Sequence, residues 1–185
     1  MFSVFFNAPL LAKANPDVSI NPTKAPWYFA GIQELLMHFH PFIAAFLIPF
    51  AIVIGLAALP YLKLKEEHSA IWFHSDKAKE AAKFSAIASS IITTLLVIIN
   101  EFVPDFETLL PWLNSFISNG IIPLVILILI IWYFYKYTLK KFKLTLIEVV
   151  QTMFVFVTTA FVILTLIGIF FRGVDMALTF PWNVL

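Results

Sequence analysis

The chain contains no cysteine, and only 12% of its 185 residues are charged. The absence of cysteine excludes disulfides, iron–sulfur ligation and the thioether attachment of haem. The net charge of +1 excludes the strongly basic surface with which proteins hold nucleic acid, so no nucleic-acid partner is expected. Because soluble chains carry about 25% charged residues, so few charges also argue against a protein that folds in water.

Apolar residues make up 61% of the chain, and the mean hydropathy is +0.93. A helix needs about 20 apolar residues to cross the hydrocarbon core. Four segments approach or exceed that length, at residues 42–62, 84–102, 121–137 and 146–171. We therefore predict an all-α polytopic membrane protein with four transmembrane helices.

Basic residues are concentrated at one end of the predicted bundle. Nine of the twelve lie in or beside the loops that join span one to span two and span three to span four, and these are Lys63, Lys65, Lys77, Lys79, Lys83, Lys136, Lys140, Lys141 and Lys143. The other three are Lys13, Lys24 and Arg172. The positive-inside rule predicts that the two lysine-rich loops are cytoplasmic and that both termini lie on the electropositive side.

Polar residues within the predicted spans are few. Ser89, Ser90, Thr93 and Thr94 in span two favour close helix–helix contact, and Pro49 predicts a kink in span one. Ionisable residues occur only near span ends, where Glu101 and Glu148 are expected to be hydrated. The absence of charge at mid-span disfavours a transporter that acts alone.

A proline-rich stretch, Asn21-Pro22-Thr23-Lys24-Ala25-Pro26, leads into residues 27–39, whose apolar residues recur at helical spacing. The opposite face of this segment carries Trp27, Gly31, Glu34 and His38. We predict a short interfacial helix before the first span, ended by Pro41. Residues 1–40 would form an extracytoplasmic arm with this helix, and residues 41–185 a four-helix domain. A plain interfacial anchor is the alternative.

The tetrapeptide Ala25-Pro26-Trp27-Tyr28 resembles the Pro-Glu-Trp-Tyr motif at the quinol site of the C-terminal half of cytochrome b and of subunit IV. Leu59-Pro60-Tyr61-Leu62 at the end of span one extends this resemblance. The run from Gly168 to Gly173 and the later Phe180-Pro181-Trp182 are similar to the tail of split cytochrome b subunits in bacterial menaquinol complexes. The Trp-Tyr pair is kept, but Pro26 stands where the family has glutamate.

The resemblance implies a haem-free membrane subunit that completes the quinol-oxidation pocket of a cytochrome bc-type complex. The chain would not be an enzyme alone. The quinone, which would be menaquinone in a bacterium, would contact Pro26, Trp27, Tyr28, Gly31 and Glu34. Its partners would be a haem-bearing subunit like the N-terminal half of cytochrome b, iron–sulfur or cytochrome c subunits, and lipid of the bacterial cytoplasmic membrane. A structural or assembly subunit without a quinone site is the alternative.

Oxidation of a quinol requires a proton acceptor, and Pro26 cannot accept a proton. The nearest carboxylate along the segment is Glu34, which we predict to be the acceptor, with His38 or His40 passing the proton outward. The alternative is that Glu34 pairs with a lysine or caps a neighbouring helix.

The four histidines are His38, His40, His68 and His74, and none lies inside a predicted span. A b-type haem in a helix bundle needs two histidines on facing helices. We therefore predict that the chain holds neither haem nor metal.

Overall fold

The computed structural model describes residues 24–61, 71–104, 106–173 and 176–183. Its helices in chain order are α1 (Ala30–His38), α2 (Ile48–Ala58), α3 (Asp76–Phe102), α4 (Phe106–Leu109), α5 (Ile122–Phe142) and α6 (Leu146–Phe170). A π-helical turn, Ile43–Leu47, runs directly into α2, and a second, Ile117–Ile121, runs into α5. The predictions that concern residues 1–23 and His68 lie outside the described residues.

Four helices are long and apolar enough to cross a membrane, namely Ile43–Tyr61, Asp76–Phe102, Ile117–Phe142 and Leu146–Phe170. No strand occurs in the described part of the chain, and the prediction of an all-α protein with four spans is confirmed. The second helix begins at Asp76 rather than at residue 84. The hydroxyl of Ser75 caps it by accepting a hydrogen bond from the backbone of Ala78 at 3.1 Å. The first two turns of this helix are polar, so hydropathy alone does not predict them as part of it.

The core of the bundle is the contact between α3 and α6. Ser85 donates a hydrogen bond to the carbonyl of Thr152 at 2.9 Å, and Ser89 donates one to the carbonyl of Phe156 at 2.7 Å. Such contacts between membrane helices contribute about 0.6 kcal/mol each on average. Of the hydroxyl residues predicted to favour helix contact, Ser89 bonds α6, whereas Ser90 donates to the carbonyl of Ala86 in its own helix.

Glu148 lies at the start of α6 and is buried, which corrects the expectation of a hydrated end residue. It forms a capping box with Thr145, in which each side chain bonds the other's backbone N–H. Its other carboxylate oxygen accepts a hydrogen bond from the Ser75 hydroxyl at 2.5 Å. The N-termini of α3 and α6 are thereby joined at the lysine-rich end of the molecule.

Spans one and three begin alike, with a π turn followed by a proline. The expected irregularity at Pro49 takes the form of the π turn just before it. In span three, Pro123 has no N–H to offer to the carbonyl of Asn119. That carbonyl accepts a hydrogen bond from the backbone of His40 at 2.7 Å. The start of span one is therefore held against the start of span three.

Beyond these first turns, little of the described part of the chain surrounds span one. Residues 51–58 are all exposed, and α2 contains no buried residue. A side chain placed at Gly55 would meet nothing within 4 Å. Phe42, Phe46 and Phe50 stack in a row along the exposed helix, with ring centroids 5.4 and 5.5 Å apart. This apolar surface is available to lipid or to another chain.

Candidate functional site

Arg172 follows the end of α6 and lies with no exposed side-chain surface among three parts of the fold. Its guanidinium donates to the carboxylate of Glu34 in α1 through Nε at 3.0 Å and through Nη2 at 2.6 Å. Nη1 donates to Glu101 at the end of α3, at 2.7 Å, and to the carbonyl of Met176, at 2.9 Å. We call Arg172, Glu34, Glu101 and His38 the arginine cluster.

The arginine cluster keeps its central pair ionised. Burial by itself raises the pKa of Glu34, but hydrogen bonds from His38 and Arg172, together with the charge of the guanidinium, outweigh burial and hold that pKa below its usual value. Burial by itself lowers the pKa of Arg172, and the hydrogen bonds and charges of Glu34 and Glu101 outweigh it, so that this pKa is raised. The pair is therefore a buried, charge-assisted, two-point contact.

His38 extends the cluster along α1. Its Nε2 lies 3.1 Å from Oε1 of Glu34, one helical turn earlier. Its Nδ1 is buried, and within the described part of the chain it has no hydrogen-bond partner. The imidazole therefore faces the carboxylate and not the exterior.

The buried face of α1 is the one that carries Ala30, Gly31 and Glu34. A Cβ at Gly31 would lie 2.5 Å from the hydroxyl of Thr165, and a Cβ at Gly168 would lie 2.9 Å from the carbonyl of Ala30. The two glycines thus let α1 and α6 approach closely. Periodicity placed Gly31 and Glu34 on one face with Trp27 and His38, but Trp27 is 71% exposed. Glu34 is buried because α6 supplies Arg172 as its partner.

Lys24 and Ala25, which precede the aromatic residues Trp27, Tyr28 and Phe29, are also held by hydrogen bonds. The ammonium of Lys24 donates to the carbonyls of Ile169 at 2.5 Å and Arg172 at 3.1 Å, at the C-terminal end of α6. The last carbonyls of a helix have no partner within the helix and favour a cation. The backbone N–H of Ala25 donates to the side chain of Gln33 at 2.6 Å, which ties the segment to α1.

Trp27, Tyr28 and Phe29 project from this fixed support, and we call them the aromatic triplet. Their exposed fractions are 71%, 58% and 51%. A turn closed by the hydrogen bond from Phe29 N–H to the carbonyl of Pro26, at 2.8 Å, presents them ahead of α1. Neighbouring ring centroids are 5.7 and 5.0 Å apart. The triplet is an aromatic surface next to a fixed backbone segment, and the described part of the chain leaves it largely open.

The predicted site residues do not form one group. Glu34 and His38 meet in the arginine cluster, Gly31 lies in the contact between α1 and α6, and Trp27 and Tyr28 are exposed. His40 lies apart, with its ring centroid 5.2 Å from that of Phe116.

The geometry argues against Glu34 as the proton acceptor. Its side chain has no exposed surface, and it could not contact a quinol without leaving Arg172. The alternative that Glu34 pairs with a cation is the arrangement observed, although the cation is an arginine and not a lysine.

Three residues of the site were missed in the sequence, namely Lys24, Glu101 and Arg172. A usable signal existed for Arg172, because a single cation that directly follows an apolar span needs a partner near the membrane. The contacts of Lys24 and Arg172 also bring together the stretch before span one and the tail after span four.

In the part of the chain that the structure describes, no group of three or more histidine, aspartate or glutamate side chains is placed to hold a metal ion. Comparisons of the chain with protein-family models, curated proteins and solved structures find no match.

Proposed function

We propose that this chain is a membrane subunit of a quinol-oxidising complex and that its aromatic triplet forms one side of the quinol pocket. The observation that carries the proposal is the exposed Trp27-Tyr28 pair, held on a helix that is fixed to α6 by a buried ion pair. The choice of a quinol rests on the resemblance of residues 25–28 to the quinol-site motif. The partner chains and menaquinol are part of the same proposal.

A flat quinol ring fits this surface for physical reasons. Exposed aromatic rings offer stacking and edge contacts to another ring, and a position before a membrane span lies where an amphipathic ligand resides. Rigid support lowers the entropy lost when a ligand is bound, which favours binding. Lys24 and the arginine cluster supply this support from below the triplet.

The reaction is the conversion of a quinol to a quinone with loss of two electrons and two protons. The electrons would be accepted one at a time by haem and an iron–sulfur cluster, which the partner chains would hold. The protons pass to water or to a group on a partner, since Glu34 is held by Arg172. Within this scheme Trp27 and Tyr28 bind and orient the ring, and Glu34 is a positioning residue.

The test is quinol oxidation by the complex purified with this chain in mild detergent. Trp27→Ala and Tyr28→Ala should each lower kcat/KM at least ten-fold while the subunits and their haem spectrum remain. Trp112→Ala is the matched control, because Trp112 is also a tryptophan outside the spans and is 75% exposed. Its turnover should stay within two-fold of the unmodified complex. Unchanged turnover in both triplet variants, or purification without any haem-bearing partner, would refute the proposal.

A structural subunit without a quinone site is the second candidate. The observation in its favour is span one, whose residues 51–58 are all exposed and could be covered by a neighbouring subunit. For such a subunit, variants of the triplet would leave turnover unchanged, whereas bulky substitution of Gly55 would release the chain from its complex.

A further inference from the structure

An apolar groove runs between α3 and α5 at the lysine-rich end of the bundle. Its volume is about 680 Å³, within the range of ligand pockets. The lining includes Phe84, Ala88 and Ile92 from α3, with Ile130, Tyr133 and Tyr137 from α5.

The groove is as long as one leaflet of a membrane is deep. Its lining residues in α3 extend from Phe84 to Leu96. At 1.5 Å per residue this stretch measures about 18 Å. Half of the hydrocarbon core is about 15 Å. An acyl chain that entered at the end near Phe84 would therefore be accommodated along its length.

A cation is held at the mouth of the groove. The ammonium of Lys141 lies 4.3 Å from the ring centroid of Phe84 and 5.3 Å from that of Tyr137. These two rings also line the groove, so the charge and the apolar surface are continuous. A second cavity, of about 420 Å³, adjoins it and is lined by Tyr137, Lys140 and Lys141.

The positive charge at this mouth has no carboxylate partner within the described part of the chain. Among the residues that the structure describes, no carboxylate lies within ion-pair distance of Lys140 or Lys141. Lys79, by contrast, pairs with Asp76 at 3.0 Å. An anion at the mouth would find two cations above an apolar groove.

We propose that this groove binds an anionic phospholipid, with an acyl chain between α3 and α5 and the phosphate at Lys140 and Lys141. Basic pockets between membrane helices recognise such headgroups. The charge selects an anionic lipid over a zwitterionic one, whose own ammonium group would meet the lysines. A quinone tail or an apolar partner helix would fill the groove but leave the lysines unpaired.

The experiment measures which lipids the full-length chain retains when it is extracted from nanodiscs that contain phosphatidylglycerol and phosphatidylcholine in equal amounts. Native mass spectrometry counts the bound lipids. The unmodified chain should retain phosphatidylglycerol in preference to phosphatidylcholine. Replacement of both lysines in Lys140→Gln/Lys141→Gln should lower this preference roughly five-fold for each lysine.

Two further variants separate the parts of the site. The control Lys79→Gln/Lys83→Gln removes the same charge from the same end of the bundle and should keep the preference, since neither residue lines the cavity at the mouth, which has Lys140 and Lys141. Ala88→Phe should fill the groove and abolish retention while all lysines remain. The proposal fails if the control loses as much preference as the test pair, or if the two lipids are retained equally. It also fails if a quinone added to the same nanodiscs is retained in place of lipid.

Discussion

Replacement of Arg172 by methionine would leave the carboxylate of Glu34 buried without its cation. Removal of one partner from a buried ion pair costs about 3–5 kcal/mol, because the other charge stays uncompensated. Both side chains have an exposed fraction of 0%, so the cost is not reduced by screening in water. Glu101 is 27% exposed and can turn toward water, so the loss of its contact with Arg172 adds little to this cost. We expect Arg172→Met to lower the free energy of unfolding by about 3–5 kcal/mol.

The double variant Glu34→Gln/Arg172→Met tests the reason for this loss. It removes both charges, and the glutamine can still bond His38. Residues in direct contact are coupled, and their effects do not add. We expect the double variant to recover about 1.5–3 kcal/mol of the loss seen in Arg172→Met. Glu34→Gln alone should be mild, since Arg172 keeps Glu101 as its partner.

Unfolding can be followed by the fluorescence of the five tryptophans as dodecyl sulfate is added to protein in a mild detergent. All three variants and the unmodified chain are compared at one pH. The reasoning is refuted if Arg172→Met costs less than about 1 kcal/mol, the value of an exposed pair. It is also refuted if the double variant loses the sum of the two single effects.

Three other predictions follow from the same contacts. Gly168→Ala should destabilise the chain by about 1–3 kcal/mol in the same assay, because its Cβ would press on the backbone of α1, whereas Gly55→Ala should be neutral in the isolated chain. The pKa of Glu34 is lower in the folded state, so the ionised carboxylate stabilises the fold fully above about pH 4.3. This stabilisation is lost as the pH falls through the lowered pKa. Glu34→Gln should therefore reduce the fall in the free energy of unfolding at acid pH. The chain has no cysteine, so Lys140→Cys and Leu109→Cys can be labelled singly in intact cells; only Leu109→Cys should react from outside, and the reverse result would invert the topology.

Local patterns in the sequence were sufficient to predict the spans. Runs of apolar residues located all four helices, and the hydroxyl residues of span two indicated close contact with a neighbouring helix, although not which one. Two helix starts could also have been found, because Ser75 before Asp76 and the Thr145–Glu148 pair are capping signals. Hydropathy placed the start of α3 too late because it ignores such signals.

The arginine cluster could not be predicted in the same way. Glu34 and Arg172 are separated by 138 positions, and periodicity reports only on neighbours one or two turns apart. The pattern of α1 showed two faces but not which neighbour would cover each. Only the packing of α1 on α6 decides that the face with Glu34 is the buried one.

The distance along the chain between Glu34 and Arg172 also sets an order of events during synthesis. The segment that carries the aromatic triplet is synthesised first, but Glu34 in the following helix has no arginine to meet until the fourth span has been made and inserted. Until then neither Lys24 nor Glu34 has its α6 partner, and the triplet lacks its support. A ribosome that stopped before codon 172 would thus release a chain whose aromatic surface is not fixed. The support of the aromatic surface is therefore complete only after the last span has been made.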